Sequence, residues 1–269
     1  MKCFVRWLWP ALAALLIGLP AAQAQNNGSA PLRQDEIEQL VAPIALYPDA
    51  LVAQILMAST YPLEVVNAAR WVKTNPEVKG KALEDAMQLQ SWDPSVKSLT
   101  AFPQVLAMMN DKLDMTQKLG DAFLAQQKDV LDAVQRLRAR AEQAGNLKSG
   151  KEKTVSTVQE GGQTVIKIEP ANPTVVYVPT YNPTVVYGTW PYPAYPPYYY
   201  YPPGYVAGTA LFSFAVGVAV GNALWGNCNW HGGSVTINQN VYNNYNRTTI
   251  SGGNTINGGN WQHRPEHRK

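Results

Sequence analysis

Apolar residues recur at helical spacing from residue 31 to residue 145, alternate with polar ones between residues 154 and 169, and then run together from Val206 to Trp225. The first pattern puts Leu51, Ile55, Leu63, Val66, Trp71, Leu83, Met87, Leu99, Leu106 and Met109 on the buried faces of a series of helices. Proline marks several of their starts. Tyr47-Pro48-Asp49 opens Ala50 to Ala58, Tyr61-Pro62 opens Leu63 to Val72, and Asn75-Pro76 and Trp92-Asp93-Pro94 open the next segments. Proline suits the first helical position because its missing N–H would find no partner there, and Asn75 and Asp93 are predicted to cap the N–H groups left free. Asp114-x-x-Gln117 reads as a capping box, and the pattern after it runs without proline to Gly145, which predicts the longest helix. Within it Phe123, Val130, Leu137 and Ala144 form one heptad seam, and Gln127, Val134 and Ala141 a second. Such seams fit docking on the protein's own domain or a coiled-coil homodimer.

The alternating residues Thr154 to Gln159 and Gln163 to Glu169 flank Glu160-Gly161-Gly162 and predict a β-hairpin. A repeat comes next: Asn172-Pro173-Thr174-Val175-Val176-Tyr177 returns as Asn182-Pro183-Thr184-Val185-Val186-Tyr187. Each copy joins an Asn-Pro turn to a Thr-Val-Val-Tyr segment and predicts two short edge strands; a repeated peptide-binding unit is the sharper alternative. From Gly188 to Tyr205 the chain is almost wholly Tyr and Pro, which predicts an extended polyproline-II strip, a spacer or a sticky aromatic face for sugar or protein.

Twenty helical residues rise roughly 30 Å, about the thickness of a bilayer core, so Val206 to Trp225 is predicted as one apolar helix able to associate with a membrane. Ser213, Gly217 and Gly221 form one small-residue stripe and Ala215, Ala219 and Ala223 the opposite one. Read with period two, Phe212, Phe214, Val216, Val218 and Val220 alternate with small residues and fit a strand as well. Gly226 to Trp261 is rich in Asn and Gly and reads as a flexible tail with one strand-like stretch, Val235 to Tyr242.

At the start, Lys2 and Arg6 precede an apolar run from Trp7 to Pro20 and the small residues of Ala22-Gln23-Ala24, a signal-peptide pattern cut before Gln25. Removing it takes Cys3, leaving Cys228 alone, so no internal disulfide is expected. Residues 25–150 carry 13 Lys and Arg against 15 Asp and Glu, a mixed, solvated surface. Between Glu169 and Arg264 the only charged residue is Arg247. A stretch so poor in charge is expected to be covered, disordered or held against a membrane or polymer, and with no basic patch to neutralise phosphates nucleic acid is not an expected partner.

With these residues in view, the chain resembles the bacterial envelope family known as domain of unknown function 3300. The matching stretches are Leu40 to Leu51, with its Tyr47-Pro48-Asp49; Ala53-Gln54-Ile55-Leu56 with Ser59-Thr60-Tyr61-Pro62; Ser91-Trp92-Asp93-Pro94-Ser95-Val96-Lys97; Gln135-Arg136-Leu137-Arg138; the Val-Val-Tyr-Val-Pro strand; the apolar Gly/Ala stretch; and the closing His-Arg. The resemblance implies an exported Gram-negative envelope protein, relatives that run on past the closing His-Arg, and no known reaction.

Catalysis needs groups held to a fraction of an ångström, and all three histidines, His231, His263 and His267, fall in the tail. Cys228-x-x-His231 with His263 and His267 offers at most a loosely spaced zinc set, and Asp49, Glu64, Asp93 and Asp114 are carboxylates without a readable pairing. No catalytic, cofactor-binding or metal-ligating residue is therefore assigned, no cofactor is expected, and the chain is not expected to be an enzyme. The expected fold class is mainly α with a small β appendage (α+β). It comprises a signal peptide (1–24), a helical domain (31–150), a small β segment with the repeat (151–187), a Tyr/Pro-rich spacer (188–205), an apolar helix (206–225) and a flexible tail (226–269). The expected role is that of an exported periplasmic or envelope protein, structural or adaptor-like, membrane-associated through 206–225, with an envelope protein, the membrane or itself as partner. A soluble periplasmic module binding glycan or a protein polymer through its tyrosines is the alternative, and a hydrolase the third class.

Overall fold

The computed structural model describes residues 31–203, 211–215, 217–219, 223–238 and 259–268, all within one unit that runs from Pro31 to Lys269. The expected leader lies outside the described residues. The fold class is α+β, with a helical N-terminal region and short antiparallel strand pairs.

Eight helices come first among the described residues: α1 (Gln34–Val41), α2 (Asp49–Ser59), α3 (Pro62–Thr74), α4 (Gly80–Gln88), α5 (Pro94–Leu99), α6 (Pro103–Asp111), α7 (Leu113–Ala125) and α8 (Gln127–Gln143). Pro62, Pro94 and Pro103 each occupy the first helical position, as the sequence predicts for the first two. α2 is the hub. Leu51 to Ser59 are all buried, and α3, α5, α7 and a later strand pack around it, as befits a helix that is apolar on every side. α7 crosses it at Gly120, where a side-chain carbon would lie 2.2 Å from the Ser59 carbonyl oxygen, so only glycine allows this approach.

Several helix boundaries differ from expectation. Asn75 ends α3 by donating from Nδ2 to the Trp71 carbonyl at 2.8 Å, rather than capping the next helix, and α4 starts only at Gly80. Asp93 does cap α5, accepting from the Ser95 N–H at 2.8 Å. Asp114 sits inside the first turn of α7 and pairs with Lys118, so it is not a cap. The long helix expected from Asp114 to Gly145 is two helices, broken at Gln126 (φ −141°, ψ 49°). Its side chain clasps the backbone of Leu32, accepting from the N–H at 2.7 Å and donating to the carbonyl at 3.0 Å, which offsets the lost helical turn. Phe123, Val130, Val134, Leu137 and Ala141 are buried in this protein's own core, so these seam positions dock on their own domain.

The hairpin forms as predicted: β1 (Lys153–Glu160) pairs with β2 (Gln163–Pro170) around Gly161 and Gly162, both at positive φ (55° and 81°), as a two-residue hairpin turn requires. The two repeat copies diverge. In both, the Asn side chain accepts from the N–H and hydroxyl of the Thr two residues on, but the first copy gives β3 (Val175–Val176) and the second a short helix, α9 (Pro183–Val186). The residues just after each copy decide this. Val178 precedes Pro179, which pushes it out of helical geometry, whereas Gly188 comes directly after the second copy and closes its helix at φ 69°.

The apolar stretch is not a helix where it is described. β5 (Phe212–Phe214) pairs with β4 (Pro179–Tyr181), and β6 (Val218–Ala219) pairs with β3, in keeping with the period-two reading. No helix among the described residues is long and apolar enough to cross a membrane. The described tail residues join the same unit, and residues 239–258, with the rest of the strand-like stretch from Val235 to Tyr242, lie outside the described residues. β7 (Gly226–Asn229) and β8 (Ser234–Ile237) form a hairpin whose Trp230 and Val235 join the core, and residues 259–261 extend it through Ile237 N–H to Gly259 O at 2.7 Å and Trp261 N–H to Val235 O at 2.9 Å.

Candidate ligand-binding face

The Tyr/Pro strip does not stand off from the helical region; it is strapped across α1, α7 and α8. After Gly188, Arg140 of α8 lies 5.8 Å from the Trp190 ring centre and 5.5 Å from that of Tyr192. The Tyr192 hydroxyl accepts from Gln34 Nε2 at 3.2 Å and from Arg140 Nη2 at 3.3 Å. Gln39 then clamps the backbone in both directions, donating to Pro196 O at 2.6 Å and accepting at its own carbonyl from the Tyr198 N–H at 3.3 Å. Arg33 sits 4.9 Å over Tyr195, and Lys112 5.7 Å over Tyr199.

An extended backbone sends successive side chains to opposite faces, and the tyrosine run uses that. Tyr198 and Tyr200 pack against the core, and the Tyr198 hydroxyl donates to Asp114 Oδ2 at 3.1 Å. Tyr199, 55% exposed, faces out beside Tyr201, their ring centres 5.3 Å apart. The result is a fixed row of aromatic rings with a cation beside every third or fourth residue. Beneath it Glu38, fully buried, holds two arginines: its Oε1 accepts from Arg136 Nε at 2.6 Å and its Oε2 lies 2.8 Å from Arg140 Nη2.

Two polar centres, the first buried and the second half-buried, hold the scaffold, and the motif residues meet at them. In the first, Asp49 and Arg138 pair at 2.6 Å, Arg138 also donates to the carbonyls of Ala45, Tyr47 and Ile166, and Asp49 accepts from the Ile168 N–H and from Trp230 Nε1. In the second, the residues from 261 to 268 dock against α3, α5 and α7. Trp261 packs on Phe123, His263 stacks on Tyr61 at 5.1 Å, Arg264 N–H donates to the Tyr61 hydroxyl at 2.9 Å, and His267 Nδ1 lies 2.8 Å from Glu64 Oε1. Burial pushes Tyr61 and Glu64 up and holds Lys97 and His263 below their ordinary values.

The carboxylates and tail residues weighed in the sequence separate accordingly. Asp49 is tied to Arg138, Glu64 to His267 and to the Asp93 N–H, Asp93 to the start of α5, and Asp114 to Lys118 and Tyr198. The Cys228 thiol donates to the Asp49 carbonyl at 3.6 Å, while His231 packs over Gly161 at the hairpin turn. The structure thus brings His263 and His267 together and leaves Cys228 and His231 elsewhere; no group of three His, Cys, Asp or Glu among the described residues is placed to hold a metal. Arg33, Lys112, Arg136, Arg140 and Glu38 were not singled out by sequence reasoning for this face. Arg136 and Arg140 are one turn apart on α8, but Arg33 and Glu38 come from the start of the helical region and Lys112 from the junction of α6 and α7, so no local spacing links the whole set.

The chain belongs to the family described as Protein of unknown function (DUF3300), whose model matches residues 33–263. It is 43% identical over 230 residues to "Uncharacterized protein YacH" of Escherichia coli (strain K12), a match that takes in 72% of this chain and 37% of that relative's length. No solved structure matches it.

Proposed function

We propose that the chain is an exported protein of the bacterial cell envelope that binds a polymer of that compartment, glycan or protein, on its tyrosine strap and catalyses no reaction. The observation that carries this is the strap itself: its backbone is clamped by Gln39 and its inner tyrosines are anchored, while the Tyr199 ring stays exposed. A pre-ordered aromatic row binds with little loss of conformational entropy, which is what a weakly polar ligand surface needs. Export is supported by the leader pattern ending at Ala24. The reading uses no membrane anchor, because Phe212–Phe214 and Val218–Ala219 within 206–225 pair as strands.

The test is co-sedimentation of the purified mature protein with isolated cell-wall sacculi, beside a variant with Tyr192, Tyr195 and Tyr199 each changed to Ser. The intact protein should pellet with the polymer and the variant should remain in solution. Failure of the intact protein to pellet would count against the strap as a binding face. N-terminal sequencing of the exported chain should begin at Gln25.

A further inference from the structure

We propose that the polymer bound on the strap is acidic: a carboxylated polysaccharide whose sugar rings lie on Trp190, Tyr192 and Tyr199 while its carboxylates meet Arg136 and Lys112. The inference rests on the strap being a binding face and specifies what that face selects.

Rings alone would suit a neutral polymer, but here cations accompany them. Not all are available to a ligand. Arg33 is neutralised by Asp35 at 2.9 Å. The cationic groups not held by an acid lie at the two ends. At one, a single carboxylate, Glu38, serves two guanidinium groups, and the other nearby acid on α8, Asp132, is held by Lys128 at 2.7 Å. Arg136 spends only its Nε on Glu38; its terminal nitrogens make no hydrogen bond to described residues, and the side chain is 36% exposed. A guanidinium fixed through Nε keeps a planar pair of donors for a carboxylate, the geometry that makes such contacts strong and selective. At the other end Lys112 covers Tyr199; of the acids close by, Asp114 is paired with Lys118 and Asp111 accepts from the Asn110 amide.

Aromatic rings interleaved with cations also suit single-stranded nucleic acid. Such a strand brings one phosphate per nucleotide, and the strap has too few free cations to neutralise a continuous run of them. Carboxylates carried on sugar rings match both the stacking surface and the sparse charge.

The experiment compares binding of the intact mature chain to polygalacturonate, to its methyl ester and to a single-stranded oligodeoxynucleotide, with sacculi as reference. Binding to the free acid is expected to exceed that to the ester by about tenfold, the worth of one charge-assisted contact. That preference should fall as salt is raised from about 0.05 to 0.5 M, where charges this far apart are screened. Arg136→Gln with Lys112→Gln, which spares the Arg140–Glu38 pair, should abolish the preference, so that the variant binds acid and ester alike. Equal binding of acid and ester overturns the inference while the binding-face reading stands. Tighter binding of the oligonucleotide than of the acid overturns it too. If neither polygalacturonate form nor sacculi is bound, the binding-face reading itself fails.

Discussion

Asp49, at the first residue of α2, and Arg138, in the middle of α8, meet at 2.6 Å with Arg138 wholly shielded from solvent, and between them they tie the helical region to the β1–β2 hairpin and to Trp230. A buried pair of this kind is worth little against a well-packed apolar replacement, but removing one partner strands the other. Arg138→Met should therefore cost about 3–5 kcal/mol, because the Asp49 carboxylate keeps two donors and loses its counter-charge. Trp230→Phe removes the indole donor and part of the ring that Arg138 covers at 4.7 Å, and should cost about 1–3 kcal/mol. Urea unfolding monitored by fluorescence ranks the two, and an Arg138→Met protein as stable as the parent would contradict this account.

Lys153 is 5% exposed, its amine lies 3.8 Å from the centre of the Phe212 ring, and it meets no hydrogen-bond acceptor among the described residues. Burial, with repulsion from Arg138, brings it down to about 8 from the usual 10.5. Below pH 8 both folded and unfolded chains carry the proton, and the folded state bears the full cost of a buried charge. Between pH 8 and 10.5 the unfolded chain holds a proton that the folded chain has released, so this group makes stability rise with pH. At about 1.4 kcal/mol per pH unit the whole effect is on the order of 3 kcal/mol. The window to measure is pH 8 to 10. Above it the buried hydroxyls of Tyr47, Tyr181 and Tyr187, all pushed up by burial, work in the opposite direction. Lys153→Met should be more stable than the parent at pH 7, and the difference should shrink as pH approaches 10; a difference that stays constant would show that the amine titrates alike in the folded and unfolded chains.

Gly120→Ala tests the crossing of α7 over α2. Alanine gains up to about 1 kcal/mol in helix propensity. Its side-chain carbon would nevertheless sit 2.2 Å from a backbone oxygen of Ser59, which has no flexible end to give way. The helices must separate, and overpacking of this kind costs about 1–3 kcal/mol or more. Net destabilisation in thermal unfolding is expected; a rise in Tm would mean that the two helices are free to shift apart.

Much of this fold is written locally. Gly161-Gly162 between alternating residues specifies a hairpin, and proline marks helix starts at Pro62 and Pro94 whatever surrounds them. The elements that differ from expectation depend on distant partners or on the next residue. Gln126 is no helix breaker by type; it breaks one because Leu32, 94 residues away, offers a backbone to clasp. The second Asn-Pro-Thr-Val-Val-Tyr copy becomes helical because Gly188 stands directly after it. Phe212 to Phe214 and Val218 to Ala219 become strands because residues 175–181 present edges that need pairing. The same holds for the candidate binding face. Its tyrosines are legible as a strip, whereas Arg33, Lys112 and Arg140 reach it from distant points of the helical region, and only the folded chain sets them beside Tyr195, Tyr199 and Tyr192.

Cys228 offers a probe of how firmly the tail is held. Its thiol is buried against α2, donating to the Asp49 carbonyl at 3.6 Å, and burial beside Asp49 pushes it well above the ordinary thiol range. The thiolate is the reactive form, so an aromatic disulfide reagent at pH 8 has neither access nor nucleophile while β7 stays docked. In the chain that begins at Gln25 it is the only cysteine, so the labelling rate reports one site. Labelling should be slow and should saturate with reagent concentration at the opening rate of the β7–β8 hairpin. In Trp230→Phe, which removes the indole bond to Asp49, it should quicken far more than global stability falls, because the hairpin then opens on its own. Equal changes in labelling and in global unfolding would show instead that the hairpin is released only when the helical core comes apart.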